Sequence, residues 1–193
     1  MPQSLINWSD TLGNRLISQQ LNYDPETEYS TAHQLISHLN EDQQLAFNRI
    51  TQSIASKKGE IFFIDGFGGC GKTYLYQALC HAVRAQNNII LCVASTGLAC
   101  LLLPGGQTAH SMFKIPIDLL DSTSVCHIPK ESLRADLIRI TEAVIFDECL
   151  MTHRHCFEAL DRTFQDLRNS SKRFGGLTMI FGGNFQNIPC QMI

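Results

Sequence analysis

The sequence has no excess of basic residues. Fifteen lysines and arginines stand against eighteen acidic residues, for a formal net charge of −3, which excludes a protein held to nucleic acid by phosphate neutralisation over its whole surface. Any such contact must be local. No C-x-x-C pair occurs among the eight cysteines, Cys70, Cys80, Cys92, Cys100, Cys126, Cys149, Cys156 and Cys190. Several lie in apolar runs where a thiol behaves as a small hydrophobe, so reduced, buried thiols are expected. Residues 1–10 lack a basic stretch followed by an apolar one, so no signal or transit peptide is visible. The longest apolar stretch, residues 89–103, is broken by Ser95-Thr96-Gly97 and is too short to span a bilayer. A soluble, intracellular protein with no membrane partner is expected. There is no internal repeat, and with 44% hydrophobic and 17% charged residues little of the chain is left for long disorder.

What is present fits one packed domain with an appendage, since 193 residues exceed the usual single-core length of about 150. Residues 1–38 are rich in Asn, Gln, Ser and Thr with scattered apolar positions and read as a polar N-terminal lead-in, helical or partly ordered; residues 39–193 read as the domain. Leu45, Ile50 and Ile54 recur at helical spacing up to Lys57-Lys58-Gly59. A first strand follows at Ile61–Asp65, and three more apolar, β-branched-rich runs lie at Ile89–Ala94, 143–147 and 177–181. Between the last two runs, Phe157, Leu160, Phe164 and Leu167 repeat with helical period. Apolar strands separated by crossover helices predict an α/β fold, a mainly parallel sheet with helices on both faces.

Directly after the first strand comes Gly66-Phe-Gly-Gly-Cys-Gly71-Lys72-Thr73, followed by the helical pattern Tyr74, Leu75, Ala78, Leu79, Ala82. This strand–loop–helix setting is what a Walker A phosphate-binding loop requires. Gly66, Gly68, Gly69 and Gly71 let backbone N–H groups, with that of Cys70, turn inward around phosphate oxygens. Lys72 reaches the β- and γ-phosphates, and the Thr73 hydroxyl is offered to Mg²⁺. The run Val144-Ile-Phe-Asp147-Glu148 ends a strand in two carboxylates, a Walker B pattern. Asp147 is expected to hold Mg²⁺ and Glu148 to orient the attacking water. The last strand leads into Phe181-Gly-Gly-Asn184-Phe185-Gln186-Asn187, whose amides read equally as a γ-phosphate sensor or as a turn.

Six ordered blocks make the pattern more specific: Leu39-Asn-Glu-Asp-Gln43, the phosphate loop, Val93-Ala-Ser-Thr96-Gly97, Gly106-Gln-Thr-Ala-His110-Ser111-Met-Phe113, Asp147-Glu148 and Gly183-Asn184-Phe185. Together they resemble the petite-integration-frequency (PIF) DNA helicases, particularly their Helitron-transposon relatives. The resemblance implies a RecA-like P-loop domain that couples ATP hydrolysis to 5′-to-3′ movement along single-stranded DNA. It implies Gln43 as the reader of adenine and Asn187 as the sensor of the γ-phosphate. Thr96, His110 and Phe113 would lie along the DNA, polar groups on phosphates and the ring free to stack, whereas without the resemblance His110 reads as a capping or core histidine and Phe113 as core. Roles in repair, recombination, telomere maintenance or transposition go with the family. So does action at DNA duplex junctions, in the nucleus, with the mitochondrion as the alternative.

Phe67 and Cys70 depart from the family's proline and threonine, which a loop that binds through its backbone tolerates. Asn184 replaces an aspartate and Asn187 a glutamine, which leaves a catalytically silent P-loop fragment as the competing reading. A P-loop enzyme outside the helicases is disfavoured by Gln43 and the 96–113 block. Cys149, His153, His155 and Cys156 mix zinc-ligand types, but without a second ligand pair a packed helix is the simpler assignment. The chain stops soon after Pro189, so a second RecA-like domain and its arginine finger are expected to lie outside it.

Overall fold

The computed structural model describes residues 13–117 and 120–185. Five strands form one sheet in the order β1-β5-β4-β2-β3, where β1 is Ile61–Asp65, β2 Ile89–Ala94, β3 Gln107–Thr108, β4 Thr141–Asp147 and β5 Thr178–Gly183. Every pairing is parallel. Alternate residues of the central strands feed two cores. Ile89, Leu91 and Val93 of β2, with Val144 and Phe146 of β4, pack into one, and Ile90, Cys92, Ala143 and Ile145 pack into the other. Burial on both faces is why these strands read as unbroken apolar runs rather than as alternating ones.

On the first face lie α1 (Arg15–Leu21), α6 (Ala109–Phe113), α7 (Leu133–Ile140) and α8 (Arg154–Leu167). The second face carries α3 (Glu41–Ala55) and α4 (Lys72–Arg84), with α2 (Pro25–Ser37) against α4 and the short α5 (Gly97–Cys100) at its edge. The helix α3 starts at a capping box. Asn40 Oδ1 accepts from Gln43 N–H at 2.9 Å and Gln43 Oε1 accepts from Asn40 N–H at 3.1 Å, satisfying two of the donors a helix start leaves unpaired. Phe47, Ile50 and Ile54 then face the core.

The polar stretch before residue 39 is helical over much of its described part and packs on the rest of the chain. Asn14 is buried, caps α1 through its side-chain oxygen, and donates from Nδ2 to Leu133 O at 2.8 Å, so α1 is fastened to α7. Ile17 joins the first core. In α2, which begins at an Asp24 cap with Pro25 in its first turn, Glu28 is buried and meets His81 of α4 at 2.7 Å. The composition was polar because each of these short helices buries only a narrow stripe.

Two strand bounds differ from the sequence reading. The strand β4 begins at Thr141, and β5 runs on through Gly182 and Gly183, which a sequence reading takes for a turn. Glycine is needed at 182 because a Cβ there would stand 1.8 Å from Tyr76 Oη.

Phe113 is the clearest correction. The resemblance implies a ring open to stacking on a base, but Phe113 is 0% exposed and meets Phe164 of α8 edge-on, with ring centroids 5.1 Å apart at 75°. The reason lies in the helix phase, because α6 turns Ala109, Met112 and Phe113 inward together. A buried aromatic pair of this geometry adds about 0.5–1.5 kcal/mol to the stability from area burial alone. Phe113→Ala is expected to destabilise the fold by about 3–5 kcal/mol, read as a lower urea midpoint at unchanged slope. A change below about 1 kcal/mol would place the ring outside the core.

Candidate nucleotide-binding site

The parallel register brings the strand ends to one line. Asp65 of β1 lies opposite Gly183 of β5, and Ala94 of β2 lies opposite both Asp147 of β4 and Thr108 of β3. The residues that follow each end therefore share one edge: Gly66, Asn184, Glu148, Ser95 with Thr96, and Ala109 with His110. This carboxyl edge is where open α/β sheets gather ligands.

Between β1 and α4 the loop 66–73 has the conformation that phosphate binding needs. Gly69 and Gly71 have φ of 86° and 90°, values that cost an L side chain about 1–2 kcal/mol. A Cβ at Gly68 or Gly69 would meet nothing within 4 Å, so the space against the loop is open. No side chain caps the N-terminus of α4, which leaves its first N–H groups and the positive end of its dipole for an anion. Lys72 Nζ donates to Gly66 O and, at 3.3 Å, to Phe67 O, which holds the ammonium within the loop. Thr73 is half-buried in the first turn of the helix, and Cys70 closes the loop by donating from its N–H to Phe67 O at 3.3 Å. These residues fit a nucleoside triphosphate.

Gln43 lies against this loop. Its Nε2 donates to Gly71 O at 3.3 Å while its Oε1 serves the capping box of α3, so both ends of the amide are engaged with the protein's own backbone. The glutamine thus joins the start of α3 to the start of α4.

Asp147 and Glu148 sit across the edge. Asp147 is buried at 6% exposure, and Glu148, half-exposed, takes φ 50° where the chain turns out of β4. Burial, followed by the charges of Asp147 and Glu148, pushes the neighbouring Cys149 thiol up to about 12, so it stays neutral. Tyr76, 0% exposed on α4, donates from its hydroxyl to Asp147 Oδ1 at 3.3 Å. Burial and the Asp147 carboxylate raise its phenol well above the ordinary value, so it remains a donor. Beyond β5, Phe185 N–H donates to Asp65 Oδ1 at 3.1 Å, and the Phe185 ring lies 4.4 Å from that of Phe63. Asp65, Tyr76 and Gly182 were not singled out from the sequence. Nothing local marks them, because each matters through a partner far along the chain.

Other expected residues are spread along the edge. Thr96 is exposed and caps α5, its Oγ1 accepting from Ala99 N–H at 3.3 Å. His110 is half-exposed on α6. Asn184 follows β5 at half-exposure, while Asn187, Gln186 and Cys190 lie outside the described residues. In the candidate zinc cluster, Cys149 and Cys156 are core residues, His153 caps α8 and His155 meets Glu158 at 2.8 Å. Among the described residues, no three His, Cys, Asp or Glu side chains gather in a way that could hold a metal. A cation at Thr73 and Asp147 would need oxygens from phosphate and water, as Mg²⁺ at nucleotide sites takes.

A family profile for PIF1-like helicases matches residues 38–192. The chain belongs to that family. It is 30% identical over 134 residues to the ATP-dependent DNA helicase Pif1 of Psychrobacter sp. (strain PRwf-1), an alignment covering 69% of this chain and 20% of that protein. Human ATP-dependent DNA helicase PIF1 is 26% identical over 185 residues, 93% of this chain and 28% of the human protein. This chain therefore spans about a fifth to a quarter of the length of these relatives. Among solved structures, Bacteroides Pif1 in complex with ADP-AlF3 and ssDNA superposes with a TM-score of 0.62 at 27% identity, covering 76% of this chain and 32% of that one. Pif1 from Candida albicans superposes at 0.61 and 24% identity over 76% of this chain and 32% of its own, a likeness of fold. The family members' RecA-like sheet is the sheet described above.

The loop geometry separates two glycine variants. Gly69→Ala adds only the positive-φ strain, whereas Gly71→Ala also puts a Cβ 2.4 Å from Gln43 Nε2 and displaces that amide. Gly71→Ala, which adds displacement of the Gln43 amide to a strain of about 1–2 kcal/mol shared by both, is expected to weaken ADP binding about tenfold, and Gly69→Ala to weaken it less. Calorimetric titration with ADP reads both; a reversed order would show that the Gln43 contact does not shape the loop.

Proposed function

We propose that the chain is the first motor domain of an ATP-dependent DNA helicase that moves 5′-to-3′ along single-stranded DNA and acts at duplex junctions. The observation that carries this reading is the placement of the 66–73 loop and Asp147-Glu148 on one sheet edge, within a chain of the PIF1-like helicase family. The Bacteroides Pif1 relative is a complex with ADP-AlF3 and ssDNA, which supports nucleotide and DNA as the partners.

In this reading Gly68, Gly69 and Gly71 hold ATP phosphates through their backbone N–H groups, Gly66 and Cys70, whose N–H groups donate to Gly183 O and Phe67 O, shape the loop around them, and Lys72 neutralises the β- and γ-phosphates. Thr73 and Asp147 hold Mg²⁺, which when bound offsets charge on the phosphates. Glu148 orients and polarises the attacking water, and Asn187 senses the γ-phosphate with a reach one methylene shorter than glutamine. Gln43 reads adenine by exchanging its Gly71 contact for the base. Thr96 and His110 hold DNA phosphates, the sequence-independent part of such an interface. A second RecA-like domain, supplied from outside these residues, contributes an arginine to the transition state. The cellular setting is nuclear DNA maintenance or Helitron-type transposition, and no helix among the described residues is long and apolar enough to cross a membrane.

Two measurements test the reading on this chain. Mg-ATP binding should be lost or strongly weakened in Lys72→Ala, and equal affinity in the variant would overturn it. ATP hydrolysis by the chain alone should be about 10³–10⁵ slower than with a second motor domain supplied, the usual effect of an arginine finger. Turnover of about 1–100 s⁻¹ from the chain alone would show that no second domain is needed.

A further inference from the structure

Tyr76 does something a core residue of its size need not do. Its ring is 0% exposed in the second core with Leu75, Ala78 and Leu79 of α4, where a phenylalanine would supply the same ring without the hydroxyl. Its hydroxyl ends against Asp147, and a buried phenol must find a partner there. The opposing strand is shaped around the pair. At Gly182 a Cβ would stand 1.8 Å from Tyr76 Oη and 2.8 Å from Asp147 Oδ1, so any other residue in this β5 position would drive the two apart. Three elements therefore meet at one hydrogen bond: α4, which begins at the phosphate loop, β4, which ends in the carboxylates, and β5, which leads to Asn184.

We propose that Tyr76 is a positioning residue for the divalent cation. It holds Asp147 by one oxygen, Oδ1, in a fixed orientation, leaving the second oxygen for the cation's shell, and Gly182 is present to admit it. The proposal rests on the reading of Asp147 as the residue that holds Mg²⁺ beside a bound nucleotide. A carboxylate whose orientation is set before the cation arrives loses less side-chain entropy on binding it, and orienting partners of metal ligands typically matter 10–100-fold in affinity. The contact also joins the nucleotide loop's helix to the Walker B strand, so the cation site and the phosphate site are held at a fixed separation by the protein alone.

The test uses the full chain, ADP and Mn²⁺ as a paramagnetic stand-in for Mg²⁺. Tyr76→Phe keeps the ring and its packing, and its folding is checked by ADP affinity without metal, which should equal that of the unaltered chain. Mn²⁺ titrated into the ADP-loaded protein, with free Mn²⁺ read by electron paramagnetic resonance, should bind Tyr76→Phe about tenfold more weakly, while Asp147→Asn should lose the site. Equal or tighter Mn²⁺ binding in Tyr76→Phe overturns the proposal. So does an equal loss of metal-free ADP affinity, which would show a structural role only. If the unaltered chain binds ADP but Mn²⁺ is indifferent to Asp147→Asn, the assignment of Asp147 fails first and takes the proposal with it.

Discussion

The parallel hydrogen-bonded ladder that ends β1, β5, β4 and β2 on one line is the constraint on which the rest of the molecule depends. A parallel strand needs a crossover before its neighbour, and each crossover here returns the chain to the far edge of the sheet, so every carboxyl end faces the same way. The separation of loop and carboxylates then follows from strand spacing. One strand, β5, stands between β1 and β4, which places Gly66 and Asp147 about two interstrand steps of roughly 4.8 Å apart. A side chain the length of lysine spans much of that distance, so a phosphate held by the loop lies within reach of groups organised by β4.

The helices keep this edge rigid. Tyr76 joins α4 to β4 from below, while Gln43 joins α3 to the loop from the side. The polar N-terminal segment adds to both, through Asn14 on one face and the Glu28–His81 contact on the other. Removing that segment would therefore take Ile17 out of one core and the cover of α2 from α4, and not merely shorten a tail.

The parts of the fold that could be read in the sequence were those with a local cause. The glycine spacing before Lys72, the apolar strands ending in Asp65 and Asp147, and the period of α3 and α8 are short-range patterns, and the structure has them where they were expected. What escaped was set by distant partners. The two-residue strand β3 pairs with Val93 and Ala94, and β5 extends through Gly182 and Gly183 along Ile64 and Asp65 of β1, with Tyr76 and Asp147 requiring a missing side chain at 182 and Leu150 at 183. Phe113 followed the same logic in the opposite direction. A motif that points to DNA says nothing about helix phase, and Phe164, over fifty residues along the chain in the numbering of α8, decides where the ring goes.

The same edge carries the candidate DNA residues, and their distance from the carboxylates is short in the fold although long in the sequence. Ser95 N–H donates to Asp147 O at 3.3 Å, so the residue before Thr96 is hydrogen-bonded to the last residue of β4. His110 follows β3, the next strand outward. The end of β4 and the Thr96 segment are thus joined through a backbone hydrogen bond and not through a chain of flexible side chains. Backbone bonds between paired strands have little freedom to absorb motion, and packed strands move as units. Ala94 and Asp147 lie opposite each other on the neighbouring strands β2 and β4, so Thr96 and Glu148 leave the sheet side by side. In this chain the sheet order alone supplies that arrangement.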